Sequence, residues 1–167
     1  MAKEVLQYKD IRARILSGLD KLANPVIQTL TPQGRSVLIQ DDLGRVILTR
    51  DGFTIAKHIT LDDPVENTVI DIVKQSAFET NRLAGDGSTT TILLSQVLIK
   101  DGFRLIDEGA GHSDLKKELD KAGEALVAQL DKFTSKVETE DQLRFVANVS
   151  SSNDAKITKN VSRAIKE

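Results

Sequence analysis

Ala84-Gly85-Asp86-Gly87-Ser88-Thr89-Thr90-Thr91 is a bend of two glycines around one carboxylate, followed by four hydroxyl residues. It lies between two long stretches of helical periodicity. Upstream, Asp63-Pro64-Val65-Glu66 reads as a helix start: Asp63 can cap, Pro64 suits the first helical position, and Glu66 can reach back. Val65, Val69, Ile72, Val73, Ala77 and Ala84 then share one side. Downstream, a helix from Ser88 carries Ile92, Leu93, Leu94, Val97, Leu98, Ile99, Phe103, Leu105 and Ile106. So wide an apolar face predicts a central helix.

The bend also has a chemistry. Glycines let the backbone turn sharply and approach a ligand closely. A helix start offers free N–H groups and the positive end of the helix dipole. Hydroxyls add donors for phosphate oxygens, and Asp86 can hold Mg²⁺, which prefers oxygen ligands and substrate phosphates. It is not a Walker A loop, because the Gly-Lys-Ser/Thr lysine is missing. The same residues also serve as a plain helix start with a Ser/Thr-rich first turn. Residue chemistry alone leaves both readings open.

Working outward, residues 3–8 read as extended. A helix is expected from Asp10, with Ile11, Ile15, Leu19, Leu22, Val26 and Leu30 at helical spacing. Pro25 should kink or shorten it. Residues 36–40 and 45–50 read as a β-hairpin around a turn at 41–44. A short helix or turn follows at 53–59. Beyond Gly109 to Gly111, a helix from Ser113 carries Leu115, Leu119, Ala122, Leu126, Leu130 and Phe133 on one stripe. The composition turns polar after Phe133, which marks a candidate boundary. Two shorter helices are expected near 140–149 and 154–166. The fold class is mainly α: a bundle of long helices with one small β-hairpin.

Composition limits the function. The 167 residues carry 23 basic and 25 acidic side chains, a net charge of −2. That balance argues against a dedicated nucleic-acid binder. The absence of cysteine removes thiolate zinc sites, disulfides and cysteine nucleophiles. No apolar run is long enough to span a membrane, and the start does not resemble a signal peptide.

Two further segments join the glycine bend: Thr29-Leu30-Thr31-Pro32-Gln33-Gly34-Arg35 and Arg50-Asp51-Gly52. In this order and spacing, the three segments resemble the N-terminal part of the group I (GroEL-type) chaperonin subunit. That family shows Leu-Gly-Pro-Lys-Gly-Arg, a hairpin, Lys-Asp-Gly, a helix, and Ala-Gly-Asp-Gly-Thr-Thr-Thr. The resemblance covers essentially the whole chain. It implies a chaperonin equatorial-domain-like fold, with residues 1–133 as the first half of the equatorial, ATP-binding domain. Residues 134–167 would begin the intermediate domain, with a hinge near 134–137.

The resemblance also implies site roles. Thr29, Leu30, Thr31 and Pro32 would line the nucleotide, and Arg50 would lie near the phosphates. Asp86 would bind Mg²⁺, and Gly87, Ser88, Thr89 and Thr90 would cradle the β- and γ-phosphates. Asp51 would help position or activate the attacking water. ATP and Mg²⁺ are the implied cofactors, with K⁺ as a further ion. The implied partners are ATP and ADP, other subunits of a ring, unfolded client proteins and a co-chaperonin, in the cytoplasm. Neither nucleic acid nor membrane is expected.

Departures are Thr31 for a glycine, Arg50 for a lysine, Ser88 for a threonine, and Pro25 within a helix. The chain is about a third of a chaperonin subunit in length. A truncated or split subunit is therefore expected, without the apical domain and the family's main catalytic aspartate. The alternative function is a non-catalytic assembly module that docks to a longer subunit. An unrelated small kinase or GTPase lacks support: there is no P-loop lysine and no βαβ alternation.

The remaining residues read more plainly. His58 and His112 lack metal-ligand partners in the pattern. Lys116, Lys117, Lys156, Lys159, Arg163 and Lys166 read as solvated faces. Asp154 matches an acid that pairs with a basic residue elsewhere in the family. The Lys3–Tyr8 segment resembles the family's terminal strand. The two Asn-x-Ser matches, at Asn148 and Asn160, are read as chance.

Overall fold

A computed structural model describes residues 7–30, 33–40, 43–151 and 153–166. Among these, seven helices and one antiparallel hairpin follow in the order α1 (Tyr8–Ile27), β1 (Val37–Gln40), β2 (Val46–Thr49), α2 (Gly52–His58), α3 (Pro64–Ala84), α4 (Ser88–Asp107), α5 (His112–Phe133), α6 (Glu140–Ser150) and α7 (Ala155–Lys166). The chain forms two compact units, Met1–His112 and Ser113–Glu167. This division falls after His112, whereas the composition shift falls after Phe133. The difference between them is α5.

In the first unit, α1 packs against both α3 and α4. Leu19, Leu22, Ala23 and Val26 recur at helical spacing and are fully buried. They meet Ile55 and Ala56 of α2, Ile70, Val73 and Ala77 of α3, and Ile92 of α4. The core is aliphatic, as a chain with 4% aromatics requires. Gly18 fits α1 closely to α3: a Cβ there would lie 2.8 Å from the Glu66 carbonyl oxygen.

The two edges of the α1 stripe are polar and face different helices. Toward α3, Arg14 pairs with Asp63, and Ser17 and Lys21 both reach Glu66. Toward α4, Arg12 pairs with Asp107 and Lys100 with Asp20, while Gln96 donates to Asp20 and Asn24. Asp63 caps α3 by accepting from the Val65 and Glu66 N–H groups. Glu66 does not reach back to the cap: its carboxylate is occupied by α1. Lys74 is buried and donates to the Ile59 carbonyl, which ties α3 to the end of α2.

The hairpin pairs Leu38 with Leu48 and Ile39 with Ile47. Strand alternation puts Val37 and Ile39 against the core. Leu38 and Leu48 face outward, 65% and 69% exposed.

In the second unit, α6 packs on α7. The sequence Thr139-Glu140-Asp141-Gln142 forms a reciprocal capping box at the start of α6. Asn153 turns the chain with φ 65°, and Asp154 caps α7 by accepting from Lys156 and Ile157 N–H. The buried Thr158 hydroxyl joins Ser151 and Asn148, and Asn148 donates to Asn153. This amide–hydroxyl cluster fixes the α6–α7 turn.

Several expectations need correction. Tyr8 is the first residue of α1 rather than part of an extended segment, and residues 3–6 lie outside those described. Helix α1 continues two residues past Pro25 and ends before Leu30. The proline lacks a donor, and the helix ends within its next turn. Helix α4 is not buried all round: Ile92 and Gln96 are buried, while Leu94, Val97 and Leu98 are exposed. Helix α5 buries no residue at all, so its apolar stripe is open.

Candidate functional site

The glycine bend forms because both glycines adopt backbone that other residues avoid. Gly85 ends α3 with φ 76°, its N–H bonded to the Asn81 carbonyl at 2.8 Å. Gly87 precedes α4 with φ 93°. A side chain in the left-handed region is disfavoured by sterics, so these positions call for glycine. Asp86, held between them, is exposed, and its Oδ1 accepts from Gly87 N–H at 2.6 Å.

Gly87 supplies no side chain to cap α4, and no side-chain cap bond forms there. The first-turn N–H groups are therefore not closed by a protein side chain, as they would be in an ordinary Ser/Thr cap. Ser88 is buried, Thr89 half-buried and Thr90 exposed. Thr91 points elsewhere, bonding the Gly87 carbonyl at 3.0 Å and Thr80 Oγ1 at 3.2 Å.

Asp51 lies at the end of the hairpin. Its Oδ2 accepts from Thr54 N–H at 2.9 Å and from the Thr54 hydroxyl at 2.5 Å. Beside it, Gly52 meets α4 directly: a Cβ at Gly52 would stand 2.0 Å from Thr89 Oγ1 and 3.1 Å from Val26 Cγ1. The Asp51-Gly52 segment, the first turn of α4 and the end of α1 thus converge.

Thr29 and Leu30 follow that end of α1. Their N–H groups return to the Val26 and Ile27 carbonyls, and the Thr29 hydroxyl donates to Val26. Thr31 and Pro32 lie outside the described residues. Arg35 N–H closes the loop onto the Gln28 carbonyl at 2.9 Å.

Arg50 is not drawn into this convergence. Its Nε donates to Ser36 Oγ at 3.2 Å, across the base of the hairpin. His58 Nδ1–H donates locally to the Thr54 carbonyl. No group of three or more His, Cys, Asp or Glu side chains that could hold a metal occurs among the described residues. The donor set at Asp86 is a single carboxylate beside open N–H groups. That fits Mg²⁺ carried on phosphate oxygens, since this ion keeps much of its shell from substrate and water.

Sequence reasoning gave Gly52 no role of its own and overlooked Thr54 and Thr80. The Asp51-to-Thr54 spacing is a capping signal. The Gly52 contact has no local signal, because its partner is 37 positions away. Asp154 is used within its own unit as the cap of α7. No helix among the described residues is long and apolar enough to cross a membrane.

The sequence model of the TCP-1/cpn60 chaperonin family matches residues 22–167. A chaperonin GroEL from Mycoplasma genitalium is 37% identical over 151 residues, which cover 90% of this chain and 28% of that protein. Among solved structures, the chaperonin gp146 from bacteriophage EL 2 (Pseudomonas aeruginosa), crystallised with ATP-BeFx, superposes with a TM-score of 0.79. It is 29% identical, with 93% of this chain and 28% of that one covered. A group III chaperonin in the open state superposes with a TM-score of 0.80 at 24% identity, covering 94% and 31%. The chain thus spans less than a third of the length of these relatives.

Proposed function

Since this chain belongs to the TCP-1/cpn60 chaperonin family, we propose that it is the N-terminal part of a subunit that binds and hydrolyses Mg-ATP to drive protein folding in a ring. The observation that carries this reading is the side-chain-free start of α4 behind Asp86, in contact with the Asp51-Gly52 segment through Thr89. The phage relative was crystallised with an ATP analogue complex, which supports the same reading.

Hydrolysis here is mostly positioning and charge neutralisation. The N–H groups of Ser88, Thr89 and Thr90 face the β- and γ-phosphates, aided by the helix dipole. Asp86 would hold Mg²⁺, which would supply charge neutralisation at the phosphate oxygens. Asp51 Oδ2 is fixed by Thr54, and the carboxylate orients the water that attacks the γ-phosphate. The P–O bond to the β-phosphate breaks, leaving ADP and inorganic phosphate. Thr29 and Leu30, with Thr31 and Pro32, line the nucleotide. Arg50 keeps the charge of the family lysine but not its reach, and it supports binding only after leaving Ser36.

We assign residues 1–133 to the equatorial domain and 134–167 to the start of the intermediate domain. K⁺, ring partners, unfolded clients, a co-chaperonin and a cytoplasmic setting belong to the same proposal. The outward Leu38 and Leu48 of the hairpin and the open stripe of α5 are the surfaces offered to neighbours. They also favour the second reading, an assembly module without hydrolysis.

Native mass spectrometry with and without Mg-ATP separates the two. The first reading expects one nucleotide per chain, lost or weakened at least tenfold in Asp86→Ala. If Asp86→Ala changes neither nucleotide retention nor assembly, the nucleotide reading fails and the assembly reading stands.

A further inference from the structure

We infer that Gly52 is a positioning residue of the nucleotide site: lacking a Cβ, it lets Thr89 lie against the Asp51-Gly52 segment and so sets the separation of the Asp51 carboxylate from the turn at 86–90. The inference rests on the nucleotide reading above and gives a role to a residue that reading leaves without one.

Gly52 is a helical residue, and its φ is not in the left-handed region. Backbone freedom is therefore not why glycine stands here, in contrast to Gly85 and Gly87. Glycine is also a poorer helix former than alanine, so helix propensity is not why it stands here either. What glycine provides is space. A Cβ would stand 2.0 Å from Thr89 Oγ1, 3.1 Å from Thr89 Cβ and 3.1 Å from Val26 Cγ1. Real Cβ contacts essentially never fall below 3.0 Å, so a methyl must displace a neighbour.

The neighbours differ in how far they can yield. Val26 is fully buried in the core. Asp51 is tied to α2 by two bonds from Thr54. Thr89 is half-buried and the atom in the way is the end of its side chain, so its hydroxyl is the side that yields, by about 1 Å. A shift of that size at a positioned group can cost about 100-fold.

The experiment is a double-mutant cycle on the purified protein in its full-length form, reading Mg-ADP affinity by calorimetry and thermal stability in parallel. Gly52→Ala is expected to weaken Mg-ADP binding about 10- to 100-fold. In a Thr89→Ala background, where the clashing oxygen is gone, it should cost under about threefold. A purely structural glycine would lower stability and give the same affinity factor in both backgrounds. That result, or no change in affinity in either, overturns the inference. If Gly52→Ala alone does not fold, Thr89→Ala is compared with the double variant: equal affinity supports the inference, and a gap beyond threefold overturns it. A wild-type protein that binds no Mg-ADP would instead bring down the nucleotide reading itself, an outcome visible before any variant is made.

Discussion

Glu66 stays charged while buried because both carboxylate oxygens are occupied: Ser17 donates to Oε1 at 2.7 Å and Lys21 to Oε2 at 2.5 Å. The hydrogen bond from Lys21, then that from Ser17, holds its pKa below the ordinary 4.5. A lowered folded-state pKa means stability that is present above the unfolded value and lost as pH falls through the folded one. Glu66→Gln should therefore lower the urea midpoint at pH 7, and its gap to wild type should close on acidification below about 4.5. A gap that stays constant down to acid would show that the charge of Glu66 contributes nothing to it. Reading the sequence found the Asp63 cap but sent Glu66 back toward it. The capping pattern is local, whereas Ser17 and Lys21 are more than forty residues away. The same limit applies at Gly52: the Asp-Gly pair is visible in the sequence, but the side chain it makes room for is not.

Among the elements, helices α1 and α5 have equally regular apolar stripes and opposite fates. Leu22 of α1 is fully buried, while Leu126 of α5 is 60% exposed. Leu22→Ala should cost about 2–5 kcal/mol through lost burial and a residual cavity. Leu126→Ala should stay within about 0.5 kcal/mol. Urea unfolding of both variants checks the contrast, and comparable losses would mean that the α5 stripe is covered. Periodicity places both helices within a few residues of their ends, because amphipathic spacing is a property of each segment alone. It cannot say whether a partner is present. That is also why the wide face of α4 reads as central although three of its nine apolar residues, Leu94, Val97 and Leu98, are exposed. The family resemblance supplies what periodicity cannot: the segments that converge at the bend are legible as motifs in order, before any contact between them is known.

For the molecule as a whole, the distribution of buried residues sets an order of opening. The first unit holds a contiguous core shared by α1, α2, α3 and α4. In the second, Ala147 and Thr158 are buried and α5 buries nothing. Local opening costs least where few apolar contacts must break. Native-state hydrogen exchange should therefore be slowest at the amides of Leu19, Leu22 and Ala23, and faster by orders of magnitude along α5. Equal protection of the two would contradict this order.

The polar edges of α1 carry a different consequence. A stripe of Leu19, Leu22 and Val26 repeats nearly every turn, so sliding α1 by one turn would leave much of it buried and the packing degenerate. Arg12 with Asp107, Lys100 with Asp20, and Gln96 with Asn24 match only in a single antiparallel alignment of α1 and α4. Arg14 with Asp63 and Ser17 with Glu66 match only in a single parallel alignment of α1 and α3. These polar pairs thus act as an address as well as glue: beyond any stability they add, they decide which turn faces which.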